Sequence, residues 1–272
     1  MQIIPPDVPR ANHLCIGFVP DSAAAGIKQL CDMTVDGLKA GLRGGMRIPR
    51  WIGKMTTLHT HLVYPLEEED AGIQRNLVGG IISQHSETLR TLTYLTTVSN
   101  VSFEMFGCLQ NLEDLTIVYP GHAMRFSEIR HNNPLRRRVQ FPSLKRLHIS
   151  NFDTQSLFDC DELRPIAPGL THLRLSGRRC YPNLERLPVR TKVLIQPILI
   201  LREEQQAQVS HIRRILSKRS YRERFTLLEP GFINYNAYGF IDGLVDWLDV
   251  SSGGNAFWNA ENEVTIDELA AR

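Results

Sequence analysis

The phrase L-x-x-L-x-L recurs along this chain, and no other feature limits its fold so tightly. It is clearest at Leu112, Leu115 and Ile117, at Leu144, Leu147 and Ile149, and at Leu170, Leu173 and Leu175. LRTLTY fits with Leu89 and Leu92 and an aromatic, Tyr94, in the last slot. Looser copies are Ala11, Leu14 and Ile16; Met55 and Leu58 with polar Thr60; and LERLPV, with Leu184, Leu187 and Val189, where Pro188 disfavours a central strand. The fourth and sixth residues lie two apart, so on a short strand both point to one face, and the residues between them point to the other. The three clear copies are each preceded by Pro, Gly or Asn in the same place: LQN, FPS and APG.

One such strand buries almost nothing alone. Stacked against copies of itself, its leucines form a continuous interior, and the return path of each repeat covers the far side. From Leu58 the fourth positions are spaced 34, 23, 32 and 26 residues apart, at Leu92, Leu115, Leu147 and Leu173. A regular leucine-rich repeat runs about 20–29 residues, so the array is irregular and carries insertions. The expected fold is therefore α/β: an irregular leucine-rich-repeat solenoid, with parallel strands on its concave face and helices and loops on its convex face. The competing reading is an α/β domain whose strands merely begin with leucines.

The return segments 122–138 and 152–169 read as helices or loops punctuated by Pro134, Pro165 and Pro168. Residues 21–43 read as an inserted helix, with Asp21 or Ser22 as its cap and Ile27, Leu30, Cys31, Leu38 and Leu42 at helical spacing. After the array the grammar changes. VLIQPILIL (193–201) reads as a buried strand, 202–224 as an amphipathic helix carrying Val209, Ile212, Ile215 and Leu216, and FTLLEPG as another strand. This strand–helix–strand ending suits a cap, which gives two regions: an array over 1–190 and a capping region over 191–272. TIDEL starts a last short helix, and Trp247 and Trp258 are expected to seal the C-terminal end.

The small net charge of +2 hides segregation. Residues 125–225 hold 21 Lys/Arg against 9 Asp/Glu, whereas 226–272 hold 1 against 8. Either an acidic cap folds beside a basic middle, which is the simpler reading because the basic residues fall in separate clusters, or an anionic partner docks on the centre. Five scattered cysteines without C-x-x-C read as reduced thiols. The N-terminus has no basic head and apolar stretch of a signal peptide, and the run 193–201 is too short to cross a bilayer. The expectation is a soluble protein of cytosol or nucleus, with no membrane contact.

Motifs for catalysis are absent from the sequence: there is no phosphate-cradling glycine loop, no G-x-S-x-G elbow and no H-E-x-x-H. No enzyme activity and no cofactor are expected. His59 and His61 alternate onto one strand face, the geometry a zinc site needs, with His13, Cys15 or Asp114 as conceivable third ligands. Paired histidines of this kind are common without metal, and no metal site is expected. PLRRRV (134–139) reads as a solvated loop, with phosphate contact or a nuclear address as the alternative.

The outward strand positions supply the candidate partner site: Asp114 and Thr116, Arg146 and His148, His172 and Arg174 side by side, with Thr91 and Thr93 before them. Such a surface is predicted to be basic and rich in donors, suiting an acidic or phosphorylated protein segment.

FGCLQNLEDLTIV, FPSLKRLHIS, APGLTHLRLSG, VLIQP and the closing DWLDVSSGGNAFW resemble the C-terminal part of fungal F-box/leucine-rich-repeat proteins over roughly residues 80–260. The resemblance implies a substrate-recognition subunit of a cullin-type ubiquitin ligase, in which an F-box grips the ligase adaptor and the repeats hold the target. No L-P-x-E-[IL]-L-x-x-I opening precedes the repeats here, so adaptor binding is not expected of this chain by itself. The functional expectation is a non-enzymatic protein-interaction module. The alternative is a binder of nucleic acid or another phosphate-rich partner through the basic centre, with affinity falling steeply in salt.

Overall fold

The computed structural model describes residues 13–17, 57–62, 79–96, 100–102, 107–119, 123–125, 140–151, 160–177, 187–188, 190–199, 206, 209–210, 212–214, 216–228, 231–232, 258 and 263–271. Its framework is an α/β arrangement with one open, all-parallel sheet. Strands β1 (His13–Gly17), β2 (Thr57–Leu62), β3 (Thr91–Thr96), β4 (Asn100–Ser102), β5 (Asp114–Tyr119), β6 (Ala123–Arg125), β7 (Arg146–Asn151), β8 (His172–Gly177), β9 (Lys192–Leu199), β10 (Phe225–Leu227) and β11 (Gly231–Phe232) follow in chain order. The main sheet runs β1-β2-β3-β5-β7-β8-β9-β10, with β11 also beside β9, while β4 and β6 pair separately. Parallel neighbours cannot be joined by a tight hairpin, so each link must travel back along the sheet.

The register shows why the repeated phrase folds this way. Leu58, Leu92, Leu115, Leu147, Leu173, Val193 and Phe225 are aligned across seven strands, and Thr60, Tyr94, Ile117, Ile149, Leu175, Ile195 and Leu227 form a second row two residues on. From β3 to β10 both rows are buried. Each fully buried leucine stabilises by about 1.5–3 kcal/mol over an exposed one. The first leucines of the phrase, Leu89, Leu112, Leu144 and Leu170, lie in the same core. They close identical turns: the N–H groups of Leu112, Leu144 and Leu170 donate to the carbonyls of Leu109, Phe141 and Ala167 at 3.4, 3.1 and 3.1 Å. Gln110-Asn111, Pro142-Ser143 and Pro168-Gly169 occupy the turn centres, which explains the preference for those residue types there. Gly169 is also needed for proximity, because a Cβ on it would sit 3.2 Å from the Pro142 carbonyl of the preceding turn.

Just after each turn, one carbonyl receives two N–H groups from the next strand. Arg90 accepts from Glu113 and Asp114, Glu113 from Lys145 and Arg146, and Lys145 from Thr171 and His172, all at 2.8–3.0 Å. The repetition is thus one of hydrogen bonding as well as of leucines.

On the core side, the helical residues 79–84 contribute Ile81 and Ile82, and the helix Cys160–Ile166 contributes Leu163 and Ile166. The described residues between 206 and 216 are helical, and Val209 and Ile212 face the core as the sequence pattern predicts. The strand–helix–strand ending is present, and β9 and β10 extend the same sheet rather than forming a separate layer. Pro197 has no N–H to give; it falls between the β9 residues paired with β10 (193–195) and those paired with β11 (198–199).

LERLPV requires a correction. Among its described residues Leu187 is buried but Pro188 lies in a turn, where its carbonyl accepts the Thr191 N–H at 2.9 Å, and the strand starts at Lys192. The last helix, Ile266–Ala271, forms as read from TIDEL. Thr265 and Glu268 make a reciprocal capping box, with the Glu268 N–H donating to Thr265 Oγ1 at 3.2 Å and the Thr265 N–H to Glu268 Oε2 at 2.6 Å. Leu269 carries this helix into the core. Glu263 bridges Leu228 in antiparallel fashion, and the Val264 N–H donates to the Leu227 carbonyl on the outer side of β10. The expected helix over 21–43, PLRRRV and Trp247 lie outside the described residues. No helix among those described is long and apolar enough to cross a membrane.

Candidate functional site

The same register that aligns the leucines aligns the residues facing the other way. One row, at the start of the strands, reads Thr91, Asp114, Arg146, His172 and Lys192. The next reads Thr93, Thr116, His148, Arg174 and Leu194, and a third reads Leu95, Val118, Ser150, Ser176 and Gln196. All six sequence-derived candidates therefore share one face, in two adjacent rows. Lys192 and Gln196 belong with them and were missed. Aligning KVLIQ with HLRLS would have found both.

The face differs from the open basic surface predicted from sequence. His148 and Arg174 are each 2 % exposed, and Thr93, Ser150 and Ser176 are equally covered. Burying polar groups is costly unless they bond to one another, and here His148, Arg174 and Ser176 do, whereas the buried Ser150 Oγ has no hydrogen-bond partner among the described residues. Gln196 Oε1 accepts from Arg174 Nη2 at 2.7 Å and from Ser176 Oγ at 3.1 Å. With the Ser176 hydroxyl proton committed to Gln196, the 3.0 Å contact between His148 Nε2 and Ser176 is a donation from the ring. Burial, followed by the nearby Arg174 charge, holds the His148 pKa well below the ordinary histidine value, so this imidazole is neutral.

Solvent is reached by the first row from Asp114 to Lys192, with Thr116 and Gln196 half-buried behind it. Arg146 and Asp114 form a two-pronged ion pair, Nε to Oδ1 and Nη2 to Oδ2, the latter at 2.6 Å. This hydrogen-bonded partner, first of all, raises the Arg146 pKa further and fixes its guanidinium plane. His172 is half-buried. Burial, then the Lys192 and Arg146 charges, lower its pKa against an opposing effect of Asp114. Thr171 Oγ1 donates to the Lys145 carbonyl at 2.9 Å and lies 2.9 Å from His172 Nδ1. The hydroxyl proton being so used, Nδ1 carries the ring proton and Nε2 is left as an acceptor. The row is thus nearly balanced in charge: a carboxylate, a guanidinium bound to it, a neutral imidazole and the exposed ammonium of Lys192.

Trp258 lies against this row and not at the C-terminal end of the stack, where the sequence suggested a seal. Its ring centroid is 5.9 Å from Arg146 Cζ, and the His172 ring meets it edge-on at 6.1 Å and 71°. The predicted contact between acidic tail and basic middle is seen once more at Arg213 and Asp267, 3.2 Å apart and exposed.

His59 and His61 occupy register positions on β2 opposite Thr93 and Leu95. Their side chains lie outside the described residues, and among the described residues no three His, Cys, Asp or Glu side chains gather as a metal site would need. No protein-family model, no curated protein and no solved structure matches this chain.

Proposed function

We propose that this chain is a leucine-rich-repeat solenoid serving as a non-enzymatic protein-interaction module, which receives its target along the outward row of its sheet. The observation that carries the reading is the shared register. Asp114, Arg146, His172 and Lys192 stand in line on successive parallel strands, the first three each delivered by the same turn and the same doubly accepting carbonyl. A rigid sheet that presents polar side chains of varied chemistry at one strand spacing, about 4.8 Å apart, is suited to reading an extended protein surface. The resemblance to the repeat portion of fungal F-box/leucine-rich-repeat proteins points the same way, towards target recognition for a ubiquitin ligase whose adaptor would be engaged through another polypeptide segment.

Near-balance of charge in the accessible row favours a target with mixed polar and aromatic character over a densely phosphorylated one. The test is affinity capture from cells with the wild-type chain and with a Arg146→Glu/Lys192→Glu double variant, folding being checked by circular dichroism. The captured set should lose its principal members in the variant. An identical set would sink the proposal.

A further inference from the structure

We infer that Arg146 and His172 form a seat for an aromatic side chain of a partner peptide, and that Trp258 of the chain's own tail is its resident, competing occupant. The inference deepens the proposed function and rests on it. Three observations place the seat. Asp114 holds the Arg146 guanidinium by two bonds, so its plane is fixed and available to an aromatic ring, with Trp258 centred 5.9 Å away. His172, oriented through Thr171, supplies an edge-on wall at 6.1 Å. Lys192 follows His172 in the row and is exposed, ready for an acidic group beside the aromatic.

The occupant is tethered, not part of the core. Glu263, five residues after Trp258, is fixed by its bridge to Leu228, and the helix Ile266–Ala271 anchors the chain beyond it. Trp258 itself is only half-buried. A tryptophan on such a leash faces the seat at an effective concentration on the order of millimolar. A partner must therefore present the same chemistry, an aromatic followed by acids as in Trp258-Asn259-Ala260-Glu261, and must outcompete the tail.

The probe is a fluorescein-labelled synthetic peptide of residues 251–264, SSGGNAFWNAENEV, titrated with the full chain and followed by anisotropy. Trp258→Ala empties the seat and is expected to bind the peptide about tenfold or more tightly than wild type, a shift of ~1.4 kcal/mol. Arg146→Lys in that background, which loses the planar fork, should return affinity to the wild-type level. A peptide with Trp replaced by Ala should not bind. Equal binding to wild type and Trp258→Ala, or binding that survives loss of the peptide's tryptophan, overturns the inference. Should Trp258→Ala not fold, wild type carrying 5-fluorotryptophan answers instead: excess unlabelled peptide must move the fluorine signal of residue 258, identified by its absence in Trp258→Phe, and an unmoved signal refutes the seat. Failed peptide binding alongside altered cell capture by Arg146→Glu/Lys192→Glu removes the seat and leaves the surface. Peptide binding with unaltered capture leaves the seat and removes the broader function.

Discussion

From β7 to β9 the two faces of the sheet are both short of water in their middle rows, yet they are stabilised in different ways. On one side Leu115, Leu147, Leu173 and Val193 repeat a single chemistry, and each packs against its neighbours without directional demands. On the other, Thr116, His148, Arg174 and Leu194 repeat nothing. There His148, Ser176, Gln196 and Arg174 depend on a chain of donors and acceptors running across three strands. The first face tolerates variation in kind but not in volume; the second tolerates neither a missing atom nor a misplaced proton. A stack can therefore be uniform inside and individual outside.

The comparison is tested most severely at adjacent residues. Leu147→Ala removes a fully buried side chain from the middle of the apolar row, and should cost about 2–5 kcal/mol in urea unfolding. A cost under about 1 kcal/mol would mean that the rows are not cooperatively packed. His148→Leu keeps much of the volume but strands the Ser176–Gln196 end of the network, and should cost about 1–3 kcal/mol at pH 7.5.

Acid separates the faces further. Because the folded His148 pKa is depressed, the unfolded chain binds more protons, and stability rises with pH. The contribution is present above the ordinary value of 6.5 and is lost as pH falls below it. His85 and His172 are shifted the same way, so wild type should weaken between pH 7.5 and 5.5 more steeply than His148→Leu, while Leu147→Ala keeps the wild-type slope. Parallel slopes for all three proteins would show that burial leaves the His148 pKa at its unfolded value. The smallest effect belongs to the rim. Lys145 and Glu113 meet at 2.7 Å with the lysine side chain 59 % exposed. Lys145→Ala should change stability by less than about 0.5 kcal/mol, and any difference should vanish in 0.5 M salt, a strongly screening concentration.

Legibility in the sequence divides along the same line. Period-two leucines declared the apolar rows, and Asn111, Pro142 and Gly169 marked the turns, because strand alternation and turn geometry are local rules. Parallel order followed from the stacking of repeated units. The six candidate residues fell on one face for the same reason. Their exposure was illegible, since it depends on what lies over the sheet, and the position of Trp258 is set by a tail more than eighty residues from His172 in sequence. In LERLPV the leucine spacing suggested another copy, and Pro188, read from the start as unfavourable to a strand, was the better guide. Lys192 was hidden by treating VLIQPILIL as a cap rather than as another copy in register.

The bridge from Glu263 to Leu228 and the Val264 amide on the Leu227 carbonyl occupy the outer rim of β10. An uncovered rim would be an adhesive margin, able to recruit a foreign strand. Cutting the chain after residue 262 should thus turn a terminus into a junction. Sedimentation of the shortened protein should reveal concentration-dependent dimers or longer strings, where the intact chain has a finished end.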